Sequence, residues 1–215
     1  VQLFISGMNS ALTPWMYSKI KKGDIRSMRK VLQLLSIVVV GIAVALMLIS
    51  PELVLIFGSP KYREAVYVIP PVAASVFFIF IYNILSMPQF YYEKTQFLMA
   101  ASMAAAGANV VLNFIFIRLF GYIAAGYTTL ACYMLYSVGH YIVSKRILVN
   151  EGIQENLMNP GFLLACSVFL IGASIICNLI FPYRILRYAI LLASAGLVFW
   201  KKELLLKTMA DIRKK

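Results

Sequence analysis

Residues 94–118 read KTQFLMAASMAAAGANVVLNFIFIR, with 23 consecutive uncharged residues held between Lys94 and Arg118. A hydrocarbon core about 30 Å thick is crossed by ~20 residues of helix rising ~1.5 Å each. No water is available in that core to satisfy backbone N–H and C=O groups, so a spanning stretch of this kind must be helical. The reading extends outward along the chain. Lys30 to Glu52 encloses 21 uncharged residues, Glu64 to Glu93 encloses 28, Arg118 to Lys145 encloses 26 and Glu155 to Arg184 encloses 28. Each is long enough to cross. Val1 to Ser18 is also uncharged and runs into the first residue, a Val with no basic leader before it, which leads us to expect the later part of a longer protein. Arg187 to Lys201 encloses only 13 residues. That stretch crosses if Arg187 and Lys201 snorkel outward, with Tyr183, Tyr188 and Trp200 at the interfaces.

Composition agrees. Hydrophobic residues make up 62 % of the 215, charged residues 13 %, and the mean hydropathy is +0.85. A soluble domain is nearer 45–50 % apolar and about 25 % charged. The expected fold is therefore all-α, a polytopic membrane bundle of about seven helices over residues 1–200. Its spans fall near 1–18, 31–51, 67–88, 96–117, 122–144, 160–181 and 183–200. Residues 201–215, with Leu205, Met209 and Ile212 on one face, are expected to form a basic amphipathic tail on an anionic inner leaflet.

The net charge of +12 needs no nucleic-acid partner in such a chain, because basic residues retained in cytoplasmic loops orient it. If the segments alternate, one side holds 15 Lys and Arg and the other five. The first side is then cytoplasmic, with the C-terminus. If the last segment did not cross, the split would be 9 against 11, so the bias favours seven crossings. Proline placement suits helix ends: Pro70, Pro71 and Pro160 open segments, while Pro51, Pro88 and Pro182 close them. Pro14 alone lies inside a segment, which is expected to bend there. Cys132, Cys166 and Cys177 sit in apolar stretches and read as packing residues.

All eight acidic residues fall in loops or at span edges. A cation-coupled carrier usually keeps a carboxylate within the membrane to bind its ion. No nucleophile with its base, paired carboxylates, Gly-rich phosphate loop or metal-ligand spacing is present, so neither catalytic residues, a metal nor a cofactor is expected. A membrane-bound glycan polymerase or acyltransferase would need a large outer loop or a His–Asp pair.

The polar groups inside the membrane are amides, hydroxyls and rings. Asn109 and Asn113 share one face of their helix. They bond to a neighbouring helix or line a substrate path, and Asn83 beside Tyr82 offers the same two readings. Ala100, Ala104 and Ala108, with Gly107, form a narrow stripe suited to close helix packing. Thr129, Tyr133, Tyr136 and His140 recur at helical spacing. They could line a sugar- or phosphate-binding path, but His140 near Lys145 favours an interfacial belt. Arg118, Arg184 and Arg187 fall on the outer side, where they anchor helix ends or meet an anionic headgroup or pyrophosphate.

Three stretches carry a resemblance. They are NSALTPWMYSKIKKGD (9–24), ISPELVLIFGSPKYREA (49–65) and NVVLNFIFIRLFGYIAAGYTTLACY (109–133). In this order and at these loop lengths, over about the first two-thirds of the chain, they resemble the Wzx-like oligosaccharide flippases. That family belongs to the wider group containing multidrug-extrusion (MATE) carriers and the lipid II flippase. The resemblance implies a fourteen-helix transporter of two pseudo-symmetric lobes, with this chain as helices eight to fourteen. It implies an undecaprenyl-pyrophosphate-linked oligosaccharide turned across the bacterial cytoplasmic membrane by alternating access, for O-antigen, capsule or exopolysaccharide. The implied partners are the lipid-linked oligosaccharide, membrane lipids, the N-terminal lobe and polysaccharide polymerase machinery. The substrate-lining candidates are Asn83, Asn109, Asn113, Arg118, Tyr133, Tyr136 and His140. A cation-coupled multidrug exporter is the alternative, and an assembly subunit acting as a dimer is a third reading.

Overall fold

The computed structural model describes residues 2–200. The expected amphipathic tail over 201–215, and Lys201 with it, lie outside the described residues. The elements are α1 (Gln2–Lys21), α2 (Ile25–Leu48), α3 (Ser50–Phe57), a 3₁₀ segment (Pro60–Tyr67), α4 (Ile69–Tyr91), α5 (Gln96–Phe120), α6 (Ala124–Asn150), α7 (Pro160–Ile180) and α8 (Arg184–Trp200). Among the described residues there is no strand. Four stretches, Ile25–Leu48, Arg63–Tyr91, Gln96–Phe120 and Pro160–Ile180, are long and apolar enough to cross a membrane. The fold is therefore all-helical and compatible with a membrane protein.

The bundle is organised around α4, which packs against α1, α2, α6 and α7. Phe77, Phe80, Ile81, Ile84 and Leu85 of α4 are fully buried, as suits a helix that is apolar all round. On α2 the buried residues Met28, Leu32, Leu35, Val39, Ala43 and Met47 recur every three to four positions and make one stripe toward the core. Helix α5 lies at the edge, packed chiefly on α6, and none of its described residues is buried.

Sequence chemistry explains the boundaries. Asp24 caps α2 by accepting from the Ser27 N–H, and Asn159 caps α7 by accepting from the Gly161 N–H, with Pro160 at the first helical position. Lys19 hydrogen-bonds the Asp24 carboxylate and holds its pKa below the usual value. Gly121 ends α5 at φ 76°, a left-handed conformation that glycine adopts without a Cβ clash, and its N–H donates to the Ile117 carbonyl.

Two proline readings change. Pro88 lies inside α4, which continues to Tyr91, and Pro51 opens α3 after a break at Ile49. Proline has no N–H to donate, so the break at Pro51 frees the Met47 carbonyl. Ser50 Oγ donates to that carbonyl at 2.8 Å. The next freed carbonyl, Leu48, accepts from Arg187 Nη1 at 2.6 Å.

Arg187 therefore does not snorkel outward. It is 1 % exposed and grips Glu52 with both terminal nitrogens, each at 2.8 Å. Tyr188 also donates to Glu52, at 2.8 Å. The Arg187 hydrogen bonds, helped by Tyr188, pull the Glu52 carboxyl down to about 2. Bringing α8 against the α2–α3 break gives Arg187 a partner that its own stretch of sequence does not contain.

Two groups of polar contacts mark opposite ends of the bundle. At one end Arg29 Nε donates to the Asn156 carbonyl at 2.7 Å, and Lys94 pairs with Glu151 at 3.1 Å. At the other end lie the Arg187–Glu52 pair and the Tyr122–Glu64 hydrogen bond of 2.9 Å, which raises the Tyr122 pKa.

The small-residue stripe is also placed differently from expectation. Ala100, Ala104, Gly107 and Ala108 are exposed, and no neighbouring atom lies within 4 Å of a Cβ placed on Gly107. The row Ala101, Ala105, Asn109, Leu112 and Asn113 is partly buried instead. Thr128 of α6 donates a hydrogen bond to Asn113 on this partly buried row.

Candidate functional site

Helices α4, α5 and α6 enclose a cleft of about 330 Å³, lined by Tyr82, Ser102, Ala105, Ala106, Asn109, Thr129, Cys132, Tyr133 and Tyr136. A second cleft, of about 380 Å³, lies between α1 and α4 and is lined by Ile5, Ser6, Asn9, Ser10, Thr13, Ile79, Tyr82, Asn83 and Tyr133. Tyr82 and Tyr133 belong to both. Their rings are nearly parallel, 6° apart at a centroid distance of 6.3 Å, and form the partition between the two clefts. Neither lining contains a charged side chain.

Several of the polar side chains are held locally. Tyr136 lies 4.7 Å from Tyr82, ring centre to ring centre, and its hydroxyl is 2.7 Å from Ser102 Oγ on α5. Asn113 Nδ2 donates to Asn109 Oδ1 at 2.9 Å, and Thr128 Oγ1 donates to Asn113 Oδ1 at 2.6 Å. This chain satisfies Asn113 between helices and leaves Asn109 at the cleft wall. Asn83 Nδ2 donates to the Ile79 carbonyl one turn back, at 2.7 Å, which leaves its amide oxygen toward the second cleft.

His140 is not part of an interfacial belt. It is 0 % exposed, with its ring among Tyr136, Phe97 and Tyr82 at centroid distances of 4.5, 5.4 and 5.9 Å. Its Nδ1 lies 2.7 Å from Nε2 of Gln89, which is also 0 % exposed. The same Gln89 nitrogen donates to the Leu85 carbonyl at 3.3 Å, which sets the amide orientation. Nδ1 then accepts, and the ring proton of neutral His140 sits on Nε2, which has no protein partner. His140 underlies the tyrosine wall. The proximity of Lys145 in sequence suggested a headgroup position, but the Gln89 contact comes from 51 residues away.

The structure thus gathers five of the seven candidates at or beside the clefts: Asn83, Asn109, Tyr133 and Tyr136 on the linings, and His140 behind Tyr136. Asn113 is a helix–helix contact one turn from Asn109. Arg118 lines neither cleft. It is exposed near the end of α5, with its guanidinium 3.8 Å from the Phe114 ring centre. Sequence reasoning missed Gln89 and Ser102, and it missed the α1 face of Ser6, Asn9, Ser10 and Thr13. That face was detectable, because polar residues three and four apart fall on one side of a helix.

Such a lining suits a neutral, hydroxyl-rich ligand. Aromatic faces offer flat apolar contact, and the amides and hydroxyls both donate and accept. No family model, curated protein or solved structure matches the chain.

Proposed function

We propose that this chain is one lobe of a membrane transporter that turns a lipid-linked oligosaccharide across the bacterial cytoplasmic membrane by alternating access. In this reading α1, α2 and α4–α8 are the seven crossings, the C-terminus is cytoplasmic, and a second lobe completes the path. The cargo is an undecaprenyl-pyrophosphate-linked repeat unit. The chain acts as a carrier without catalysis of its own, in the manner of the Wzx-like and MATE-like transporters it resembles.

The observation that carries the reading is the pair of uncharged clefts meeting at Tyr82 and Tyr133. Sugar rings present C–H faces that lie flat on tyrosine, and their hydroxyls exchange hydrogen bonds with amides such as Asn83 and Asn109. A cation-coupled drug exporter is the second reading, and a carboxylate in a cleft would favour it. The linings here contain none.

The test uses a strain lacking the gene. Lipid-linked repeat units on each leaflet are quantified with a glycan label that cannot cross the membrane. Completed units trapped on the inner leaflet, with restoration by the wild-type gene, are expected. An unchanged leaflet distribution with normal surface glycan would sink the proposal, and drug-efflux measurements on the same strain would then decide for the exporter.

A further inference from the structure

At the end of the bundle remote from Lys94, the α2–α3 break, the 3₁₀ segment and the α7–α8 turn enclose a recess of about 360 Å³. Arg63, Arg184 and Arg187 line it, with Glu52 as its one carboxylate. Both Glu52 oxygens are taken by Arg187, so that acid is neutralised within the wall. Among the described residues, Arg63 and Arg184 have no ion-pair partner. The Arg187 Nε is buried and also lacks a partner. Two exposed guanidinium groups thus border a recess whose one carboxylate is already paired with Arg187.

The rest of the recess is apolar, including Leu55, Val66 and Phe181. Beside it, Ile56, Phe57 and Ile185 are 71, 83 and 88 % exposed. A charged recess opening onto an apolar flank matches an amphiphile whose head is anionic and whose chain is hydrocarbon.

We infer that this recess binds the phosphate of an anionic lipid headgroup. Arg63 and Arg184 donate to the phosphoryl oxygens, Arg187 forms the buried back wall, and the lipid chain lies along Leu55, Ile56 and Ile185. Arginine suits the role because its planar fork meets phosphate oxygens in pairs. The headgroup chemistry is common to a membrane glycerophospholipid and to a phosphate-bearing polyprenyl carrier. The site is separate from the tyrosine clefts and stands whether or not those carry a glycan.

The test is native mass spectrometry of the full-length protein released from neutral detergent, titrated separately with phosphatidylglycerol, phosphatidylcholine and undecaprenyl phosphate. The wild type is expected to retain at least one of the two anionic lipids in preference to phosphatidylcholine. R63Q/R184Q alters two exposed side chains, and its affinity should fall by about tenfold or more. K145Q/R146Q removes the same charge at the opposite end and should bind as the wild type does. Loss of phosphatidylglycerol alone in R63Q/R184Q identifies the bulk lipid, and loss of undecaprenyl phosphate alone identifies the carrier. The inference is overturned if R63Q/R184Q binds like the wild type, if K145Q/R146Q loses as much, or if neither anionic lipid outbinds phosphatidylcholine.

Discussion

Replacing Arg187 by alanine removes three donated hydrogen bonds, one to the Leu48 carbonyl and two to Glu52. A buried carbonyl left without a donor costs about 1–3 kcal/mol, and breaking a buried ion pair by deleting one partner costs about 3–5 kcal/mol. These ranges overlap in a shared network and do not add. Glu52 also keeps 22 % side-chain exposure and its bond from Tyr188, which lowers the second figure. The expected loss is about 3 kcal/mol, roughly a hundredfold in the unfolding equilibrium. Reversible unfolding of the full-length protein in mixed detergent–SDS micelles measures it. Removing both charges, in R187M/E52L, should recover part of the loss, because the uncompensated carboxylate is then gone while the Leu48 carbonyl still lacks its donor. A change for R187A within about 0.5 kcal/mol, as for an exposed ion pair, would refute the buried-clamp account. So would a double variant no better than R187A.

Further outcomes follow from the same contacts. Glu52 is held near 2 in the folded protein against an ordinary 4.5. Its contribution should therefore be complete above pH 4.5 and disappear as the pH falls toward 2, and E52Q should flatten much of the stability profile measured by thermal unfolding. A Cβ on Gly126 would lie 2.8 Å from Pro71 Cγ and 2.9 Å from the Val68 carbonyl oxygen. G126A should then destabilise by about 1–3 kcal/mol in the micelle assay, while G107A, in open space, should not. T128V removes the bond that orients Asn113 and should cost about 0.6 kcal/mol by the same measurement, with a larger fall in transport as Asn109 loosens. H140L removes the cross-helix partner of buried Gln89 and should cost about 1–3 kcal/mol, whereas H140L/Q89L should recover part of it.

Helix positions were largely legible in the sequence because the bilayer imposes a length and prolines and charges mark its edges. The stretch expected near 96–117 is α5, Gln96–Phe120, and that near 160–181 is α7, Pro160–Ile180. Cytoplasmic orientation remains part of the proposal, yet Lys94 and Arg29 do share one end of the bundle, as alternation requires. Local rules failed where the partner was distant in sequence. His140 was misread because Gln89 lies on another helix, and Arg187 because Glu52 is 135 residues away. The alanine stripe of α5 is exposed in this chain, because small residues permit close packing without fixing which face turns inward. Asn109 and Asn113 together were legible as one polar face, but only the approach of Thr128 divides them into a lining residue and a helix–helix contact.

The most direct test of the central proposal places the purified full-length protein in vesicles containing undecaprenyl-pyrophosphate-linked oligosaccharide and follows labelling by a glycan reagent that cannot enter. Protein-free vesicles expose only the outer leaflet's share. The account predicts that the wild-type protein brings the inner share into reach, and that Y82A/Y133A slows this by about tenfold or more, since stacking contacts are each worth up to about 1.5 kcal/mol. Labelling that stops at the outer share with the wild-type protein, or that proceeds at the same rate in Y82A/Y133A, would contradict it.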